Sequence, residues 1–173
     1  MRIYKQQQNW SKALEQGLKA TQDDPADVDA WYEIALVAAQ IDSYDVMLLA
    51  IDETLERTDK YNAEIAQIRT AEYNDLFNGA VQDFNNDDFE KAKAKLELAL
   101  RINSSRANAP KLLGMIAQRN DDIPGALAYY RQGLDADTTD CDLARQYAMM
   151  LNTNGDTDQA ISVMKRTHAA NLD

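Results

Sequence analysis

Self-similarity at an interval of about 34 residues is the feature that most constrains this chain. Ala92 is followed by Leu96 and Ala99, and Ala126 is followed by Tyr130 and Gly133 at the same offsets. The same landmark recurs at Ala13, Met47, Ala92, Ala126 and Ala160, with three equal intervals and one longer interval between Met47 and Ala92. A repeat of this length predicts a stack of supersecondary units, because one unit alone cannot bury its apolar face.

Each unit carries the pattern of two helices. In the segment DFEKAKAKLELALRINSS, residues 88–105, apolar side chains recur at spacings of three and four, which is one face of a helix. A second landmark stands about a dozen residues before four of the five: Ile34-Ala35 before Met47, Gly79-Ala80 before Ala92, Leu113-Gly114 before Ala126 and Tyr147-Ala148 before Ala160. Asn- and Asp-rich turns fall between the two landmarks at 86–88, 120–122 and 154–156. We therefore expect helices at about 73–86 and 108–119 to cover the stripe of residues 88–105.

A unit of about 34 residues with a large-small pair in one helix and a small residue in the next resembles the tetratricopeptide repeat (TPR). The matching residues are Ala13, Pro25, Trp31, Ile34, Ala35, Leu76, Ala80, Ala92, Leu113, Gly114, Ala126, Tyr147, Ala148 and Ala160. Met47 and Pro110 depart from the pattern. The resemblance implies an all-α fold, a right-handed α-α superhelix forming a single domain over residues 1–173. Its five units would be approximately 1–27, 28–61, 62–106, 107–140 and 141–173.

The longer interval, from Met47 to Ala92, predicts a lengthened helix. Its excess of about 11 residues makes almost three α-helical turns, so the helix keeps its faces in register. The extra segment, about 62–72, contains no Gly or Pro, and we expect one long helix from 62 to about 86. Ile65 and Ile68 would then form an apolar ridge. This ridge either packs on the end of the preceding helix near Leu55 or protrudes as a contact surface for another protein.

The two ends of the array are expected to be uncovered. Counting back from Ala13, the first helix of the first unit is only partly present, so the chain is either a piece of a longer array or has a degenerate first unit. Solenoids normally require polar capping elements. Leu14 and Leu18 at one end, or Ile161 and Met164 at the other, could support a homodimer through the solenoid ends.

Composition argues against several classes of function. The net charge of −11 and pI of about 4.5 argue against nucleic acid as a partner. The longest apolar runs have six residues, which predicts a soluble chain without membrane insertion. With one Cys (Cys141) and one His (His168), the sequence predicts no internal disulfide and no zinc site. We predict no enzyme activity, no catalytic residues, no metal and no cofactor. Cytoplasm and periplasm both remain open.

The resemblance also implies a concave groove lined by the first helix of each unit. Carried over residue by residue, its positions are Tyr32, Leu36, Asn74, Phe77, Val81, Asn108, Lys111, Met115, Arg119, Arg145 and Met149. An extended peptide would be held through its backbone by Asn74 and Asn108 and through an acidic group by Lys111 and Arg145. The alternative for Tyr32 and Phe77 is that they are packed between helices.

Two hypotheses of function result. The first is a protein-interaction module or scaffold that binds an extended peptide or partner helix in this groove. The alternative is a self-assembling structural adaptor that uses the uncovered solenoid ends or the ridge of Ile65 and Ile68. The sequence names no partner beyond the class of protein or peptide.

Overall fold

The computed structural model describes residues 1–172, and these form helices without any strand. The helices are α1 (Arg2–Gln6), α2 (Trp10–Asp23), α3 (Val28–Ala39), α4 (Tyr44–Leu55), α5 (Asn62–Asn85), α6 (Phe89–Ile102), α7 (Asn108–Arg119), α8 (Ile123–Ala136), α9 (Cys141–Thr153) and α10 (Thr157–Ala170). The predicted all-α fold class is confirmed. Only Asp173, the last residue of the predicted fifth unit, lies outside the described residues.

The chain divides into two compact units between Glu72 and Tyr73. The first contains α1 to α4 and the beginning of α5, and its helices pack in sequence, α1 on α2, α2 on α3 and α3 on α4. The second contains the rest of α5 and α6 to α10, in which α6 packs on α7, α7 on α8, α8 on α9 and α9 on α10. Packing between successive helices is what a stack of helix pairs requires.

The turn inside each helix pair has the same backbone geometry every time. Its central residue has a positive φ at Gln8, Asp42, Asp87, Asp121 and Gly155, positions that repeat the intervals between the sequence landmarks. The amide after it bonds back to the carbonyl five residues earlier, for example Asp122 N–H to Ala117 O at 2.9 Å. This is the helix-ending motif with a left-handed residue, which satisfies carbonyls that the helix leaves free. The predicted turns at 86–88, 120–122 and 154–156 are therefore confirmed.

Acidic side chains at the turns also start the helices that come after them. Asp27, Asp122 and Asp140 each accept a hydrogen bond from the backbone N–H three residues later. Such a cap satisfies one free amide of the first helical turn. Pro124 lies in the first turn of α8, where its missing N–H costs no hydrogen bond.

Helix α5 is 24 residues long, twice the 12 residues of α3 and α7, as the longer interval between landmarks predicted. Ile65 is only 2% exposed and Ile68 is half-buried. The hypothesis of a protruding ridge is therefore wrong for Ile65, because its side chain is already covered within the chain. None of the helices in residues 1–172 combines the length and the apolar character needed to cross a membrane.

Small and large residues alternate between the two helices of a pair. Gly114 in α7 faces Tyr130 in α8 so closely that a Cβ at Gly114 would lie 2.3 Å from the Tyr130 ring. One repeat earlier, the equivalent positions hold Ala80 and Leu96, both fully buried. An aromatic side chain thus stands opposite glycine, whereas the aliphatic Leu96 occurs with alanine. This match of volumes is how a close-packed interior avoids both voids and overlaps.

Candidate functional site

In the second compact unit, which begins at Tyr73, the predicted groove positions recur on α5, α7 and α9, the first helices of successive helix pairs. We call this set the ladder: Asn74, Phe77 and Val81 on α5, Asn108, Lys111, Met115 and Arg119 on α7, and Arg145 and Met149 on α9. Asn74 and Asn108 are equivalent positions one repeat apart, as are Lys111 and Arg145, and Met115 and Met149. The repeat therefore places an amide at the same offset on α5 and α7, and a cation and a methionine at the same offsets on α7 and α9.

The two methionines of the ladder are apolar but remain exposed. Met115 is 36% exposed and Met149 is 58% exposed, whereas Ile116 and Met150, the next residues along the chain, are 2% and 5% exposed. Neighbouring residues on a helix point about 100° apart, so each helix has one buried face and one open face that carries a methionine. An exposed apolar side chain at a repeated position is a candidate contact with a partner.

Met115 lines an open concavity of about 340 Å³ on α5 and α7, together with Phe84, Gln118 and Arg119. The sequence predicted Met115 and Arg119 here but missed Phe84. Phe84 follows Phe77 by seven residues and Val81 by three, so all three lie on one face of α5. Extending the groove face by one helical turn would have found it.

The Arg119 guanidinium is held at the edge of this concavity. It lies 4.7 Å from the centre of the Phe89 ring and 3.3 Å from a carboxylate oxygen of Asp87. Both partners of this ion pair are more than half exposed, and such pairs contribute little to stability because water screens them. Arg119 is therefore positioned by a ring and a weak ion pair, and an incoming carboxylate could replace Asp87.

Lys111 is bound more firmly within the chain. Its ammonium lies 3.0 Å from Asp140, and both side chains are about three-quarters buried. Asp140 also accepts the N–H of Leu143 at the start of α9. Burial alone would raise the pKa of Asp140, but the bonds from Leu143 and Lys111 outweigh it and lower that pKa. Lys111 thus ties α7 to the start of α9, in addition to its predicted place in the groove.

Arg145 differs from Lys111, although the two positions are equivalent. Its guanidinium lies 3.0 Å from Asp142, one turn earlier on the same helix, and both side chains are about two-thirds exposed. An exposed pair of this kind is weak. Of the two cations predicted to meet an acidic group, Arg145 is the more accessible.

Phe77 occupies a half-buried position against Tyr73. Their rings are nearly parallel, at 5° and 6.0 Å between centres. Tyr73 is 1% exposed, and its hydroxyl oxygen accepts the N–H of Ala109 in α7 at 3.1 Å. Burial raises the pKa of Tyr73. Tyr73 therefore fixes α5 against α7, and Phe77 exposes only part of its ring. Asn74 and Asn108 are exposed on the same two helices, and Val81 is half-buried.

Tyr32 and Leu36 lie on α3 in the first unit, and both are half-buried. The Tyr32 ring stacks on Tyr61 at 3.9 Å between centres, with 8° between the planes. The Tyr61 hydroxyl donates to Asp29 at 2.6 Å, and Lys60 donates to the same carboxylate at 2.9 Å. These hydrogen bonds, first from Tyr61 and then from Lys60, lower the pKa of Asp29. This cluster ties the segment before α5 to α3, and packing between helices was the alternative for Tyr32 that the sequence left open.

Comparisons with known proteins address the fold. No protein-family model matches the sequence, and no curated protein matches it. Among solved structures, a crystal structure of MamA aligns with 96% of this chain and 91% of its own, at 14% identity and a TM-score of 0.53. The structure titled MamA 41-end from Desulfovibrio magneticus RS-1 aligns over 97% and 89%, at 12% identity and a TM-score of 0.50. MamA is a TPR protein. This chain has the TPR fold.

The TPR fold explains why the ladder repeats, since each first helix presents the same positions. Among residues 1–172, no three His, Cys, Asp or Glu side chains are grouped so that they could hold a metal ion. Cys141 is exposed at the start of α9, and Asn171 donates to its sulfur at 3.5 Å. The exposed methionines and the concavity beside Met115 make the ladder the candidate site of residues 73–172.

Proposed function

We propose that the chain is a protein-interaction module that binds an extended peptide or a partner helix on the ladder of its second unit. The observation that carries this proposal is the exposure of Met115 and Met149 at equivalent positions of α7 and α9. Repeat solenoids present such positions along extended binding surfaces. A side chain that is apolar, flexible and exposed at a repeated position suits contact with a partner's apolar residue.

The chemistry of the ladder specifies the ligand further. The concavity of Phe84 and Met115 suits an aliphatic or aromatic side chain of the ligand. Arg119 and Arg145, whose ion pairs are exposed, suit an acidic residue next to it. Asn74 and Asn108 are exposed amides that can pair with an extended backbone. We therefore expect ligands that combine an apolar anchor with an acidic residue.

The test is a selection from a displayed library of short random peptides against the native protein. Enriched peptides are synthesised with a fluorescent label, and their binding is measured by anisotropy against the native protein and against Met115→Lys and Arg119→Glu. We expect enriched peptides to carry an apolar and an acidic residue, and each variant to weaken binding at least about tenfold, the effect of losing about 1.4 kcal/mol.

The matched control is Arg166→Glu, which makes the same charge change at an exposed position of α10 outside the ladder. It should bind the selected peptides as the native protein does. Lys111→Glu is a poor probe, because it would place a second carboxylate beside Asp140 and disturb the start of α9. If no peptide is enriched, or if Met115→Lys and Arg119→Glu bind as tightly as the control, the ladder is not the binding surface.

Self-assembly through the ridge of Ile65 and Ile68 is not part of this proposal. A contact surface needs exposed side chains, and Ile65 is 2% exposed. The weakly paired cations of the ladder also favour an acidic ligand, and they give the peptide hypothesis a chemical specificity that the ridge does not have.

A further inference from the structure

The sequence contains two Asn-Gly pairs, Asn78-Gly79 and Asn154-Gly155, and the structure places them in different backbone environments. Asparagine loses its side-chain ammonia most readily before glycine, because glycine has no side chain to obstruct attack by its own backbone nitrogen. Both asparagines are exposed, so exposure does not distinguish them. The backbone around each pair does.

The reaction uses only groups of the chain and water. The backbone nitrogen of Gly155, once solvent has taken its proton, attacks Cγ of Asn154. The new C–N bond closes a five-membered imide, and the bond from Cγ to Nδ2 breaks as ammonia leaves with a proton from solvent. Water then opens the imide at one of its two carbonyl groups. The product is aspartate or isoaspartate, and no oxidant or reductant is required.

The first pair is held in the interior of a helix. Asn78 and Gly79 lie more than one turn from either end of α5, and the next residue, Ala80, is fully buried. In a helix the backbone N–H bonds to the carbonyl four residues earlier, so the nitrogen cannot attack until that bond breaks. Opening the middle of a packed helix requires a free energy that approaches that of global unfolding. We therefore expect α5 to protect Asn78.

The second pair lies in the exposed turn between α9 and α10. Asn154 ends α9 with a ψ of −8°, which turns the Gly155 nitrogen away from the asparagine side chain, so this turn must also open before the reaction. It is closed by few bonds. The Gly155 N–H donates to the carbonyl oxygen of Asn152 at 3.1 Å, and the Asp156 N–H donates to that of Leu151 at 2.8 Å. An exposed turn of this kind opens at a small free energy.

Glycine is what distinguishes this turn from its equivalents. Its φ is 93°, and among the described residues nothing beyond its chain neighbours lies within 4 Å of the place of a Cβ at Gly155. Two other turns also place an exposed asparagine before the residue of positive φ, and they are Asn86-Asp87 and Asn120-Asp121. In both, an aspartate side chain stands beside the nitrogen that would attack. Of these three turns, the one at 154–155 alone combines an open backbone with glycine.

We propose that Asn154 is a site of spontaneous deamidation and that its conversion loosens the connection between α9 and α10. In the native turn the Asn154 side-chain amide donates to a carboxylate oxygen of Asp156 at 2.7 Å. Conversion replaces this donor with a second carboxylate, so an attraction becomes a repulsion between like charges. Isoaspartate also lengthens the main chain by one carbon, which displaces the Asp156 N–H from the Leu151 carbonyl. Asp156 directly precedes α10, so the start of that helix loses its anchor.

The test is to age the native protein in mildly alkaline buffer and to follow deamidation by mass spectrometry of tryptic peptides. Each pair falls on its own peptide, residues 70–91 for Asn78 and residues 146–165 for Asn154. We expect Asn154 to convert at least about tenfold faster than Asn78, which corresponds to a difference of about 1.4 kcal/mol in the free energy of opening. In unfolding concentrations of urea the two should convert at similar rates, because neither pair is then held by the fold.

Asp121→Gly is the matched variant, because it builds an Asn-Gly pair into an equivalent turn. Asn120 should convert in this variant at a rate comparable with that of Asn154, whereas in the native protein it should remain an amide. If Asn154 converts no faster than Asn78 in the folded protein, the deamidation site is wrong.

Hydrogen exchange of the α10 backbone amides measures the loosening. Exchange should be faster in the aged protein than in the fresh protein. Asn154→Gln, aged in the same way, is the control for other changes on ageing, because the longer side chain does not form the five-membered imide, and its α10 amides should exchange as before. Equal exchange in fresh and converted protein overturns the loosening of α10.

Discussion

The contact between Gly114 and Tyr130 gives a sharp test of the packing rule proposed for the helix pairs. A methyl group at Gly114 would lie 2.3 Å from the Tyr130 ring, whose side chain is fully buried. Gly114→Ala gains about 0.5–1 kcal/mol in helix propensity. Overpacking of a buried site costs about 1–3 kcal/mol. Because the gain offsets part of the cost, we expect a net loss of up to about 2.5 kcal/mol in the free energy of unfolding.

Gly79→Ala is the matched control, because Gly79 is also inside a first helix of the second unit. The nearest atom to a Cβ at Gly79 is the ammonium of Lys95 at 3.2 Å, the end of a flexible side chain that can move. This variant should therefore keep its gain in helix propensity and be more stable than the native protein by up to about 1 kcal/mol. The two substitutions are chemically identical and differ only in what the new methyl group meets.

A double variant tests the reason for the loss. In the preceding repeat, Ala80 and Leu96 hold the positions of Gly114 and Tyr130. Gly114→Ala combined with Tyr130→Leu reproduces that pair and should recover most of the stability lost by Gly114→Ala. The interaction energy in this double-mutant cycle should be favourable by about 1 kcal/mol or more, as is typical of residues in direct contact.

Urea unfolding followed by far-UV circular dichroism measures these differences. Trp10 and Trp31 both lie in the first unit, so their fluorescence reports that unit, while the circular dichroism signal reports all helices. Comparing the two signals assigns each shift in midpoint to a unit. Gly114→Ala with a midpoint at or above that of the native protein would refute the reasoning, as would a double variant no more stable than Gly114→Ala.

Three further predictions use the same unfolding assay. Gly155→Ala should lower the free energy of unfolding by about 1–2 kcal/mol, because the φ of 93° strains any side chain even though no atom lies within 4 Å of the new methyl group. At the equivalent position of another turn, Asp121→Gly should raise the free energy of unfolding by up to about 1 kcal/mol. Burial raises the pKa of Tyr130 to about 12. The free energy of unfolding therefore keeps the full contribution of this group below the unfolded pKa of about 10 and loses it as the pH rises from about 10 to about 12. Tyr130→Phe should flatten this fall. Asp140→Ala should cost about 1–2 kcal/mol at neutral pH, since α9 loses its cap and Lys111 its partner, and native and variant stabilities should converge in acid as Asp140 is protonated.

Much of the fold could be predicted because the signals are local and repeated. The intervals between Ala13, Met47 and Ala92 place the helix pairs, and the longer of the two predicts the long helix α5. Turn residues such as Asp87 and Asp121 mark the helix ends because Asp tolerates a left-handed backbone. The prediction of a single domain over residues 1–173 stays a prediction, and the structure divides into two compact units between Glu72 and Tyr73.

The candidate site was less predictable, because repeat position does not determine what a side chain contacts. Lys111 and Arg145 are equivalent in sequence, yet Lys111 binds the cap of α9 while Arg145 pairs weakly on its own helix. The difference depends on Asp140, whose distance from Lys111 only the folded chain shows. Likewise, the sequence left open whether Tyr32 lies in the groove or packs between helices. Its ring stacks on Tyr61, which belongs to the later segment just before α5.

The side chains of the ladder indicate the kind of partner that it accepts. The ladder presents Met115 and Met149 beside weakly paired arginines, and methionine adapts its shape to different neighbours. We therefore expect the ladder to accept several peptide sequences with modest affinity.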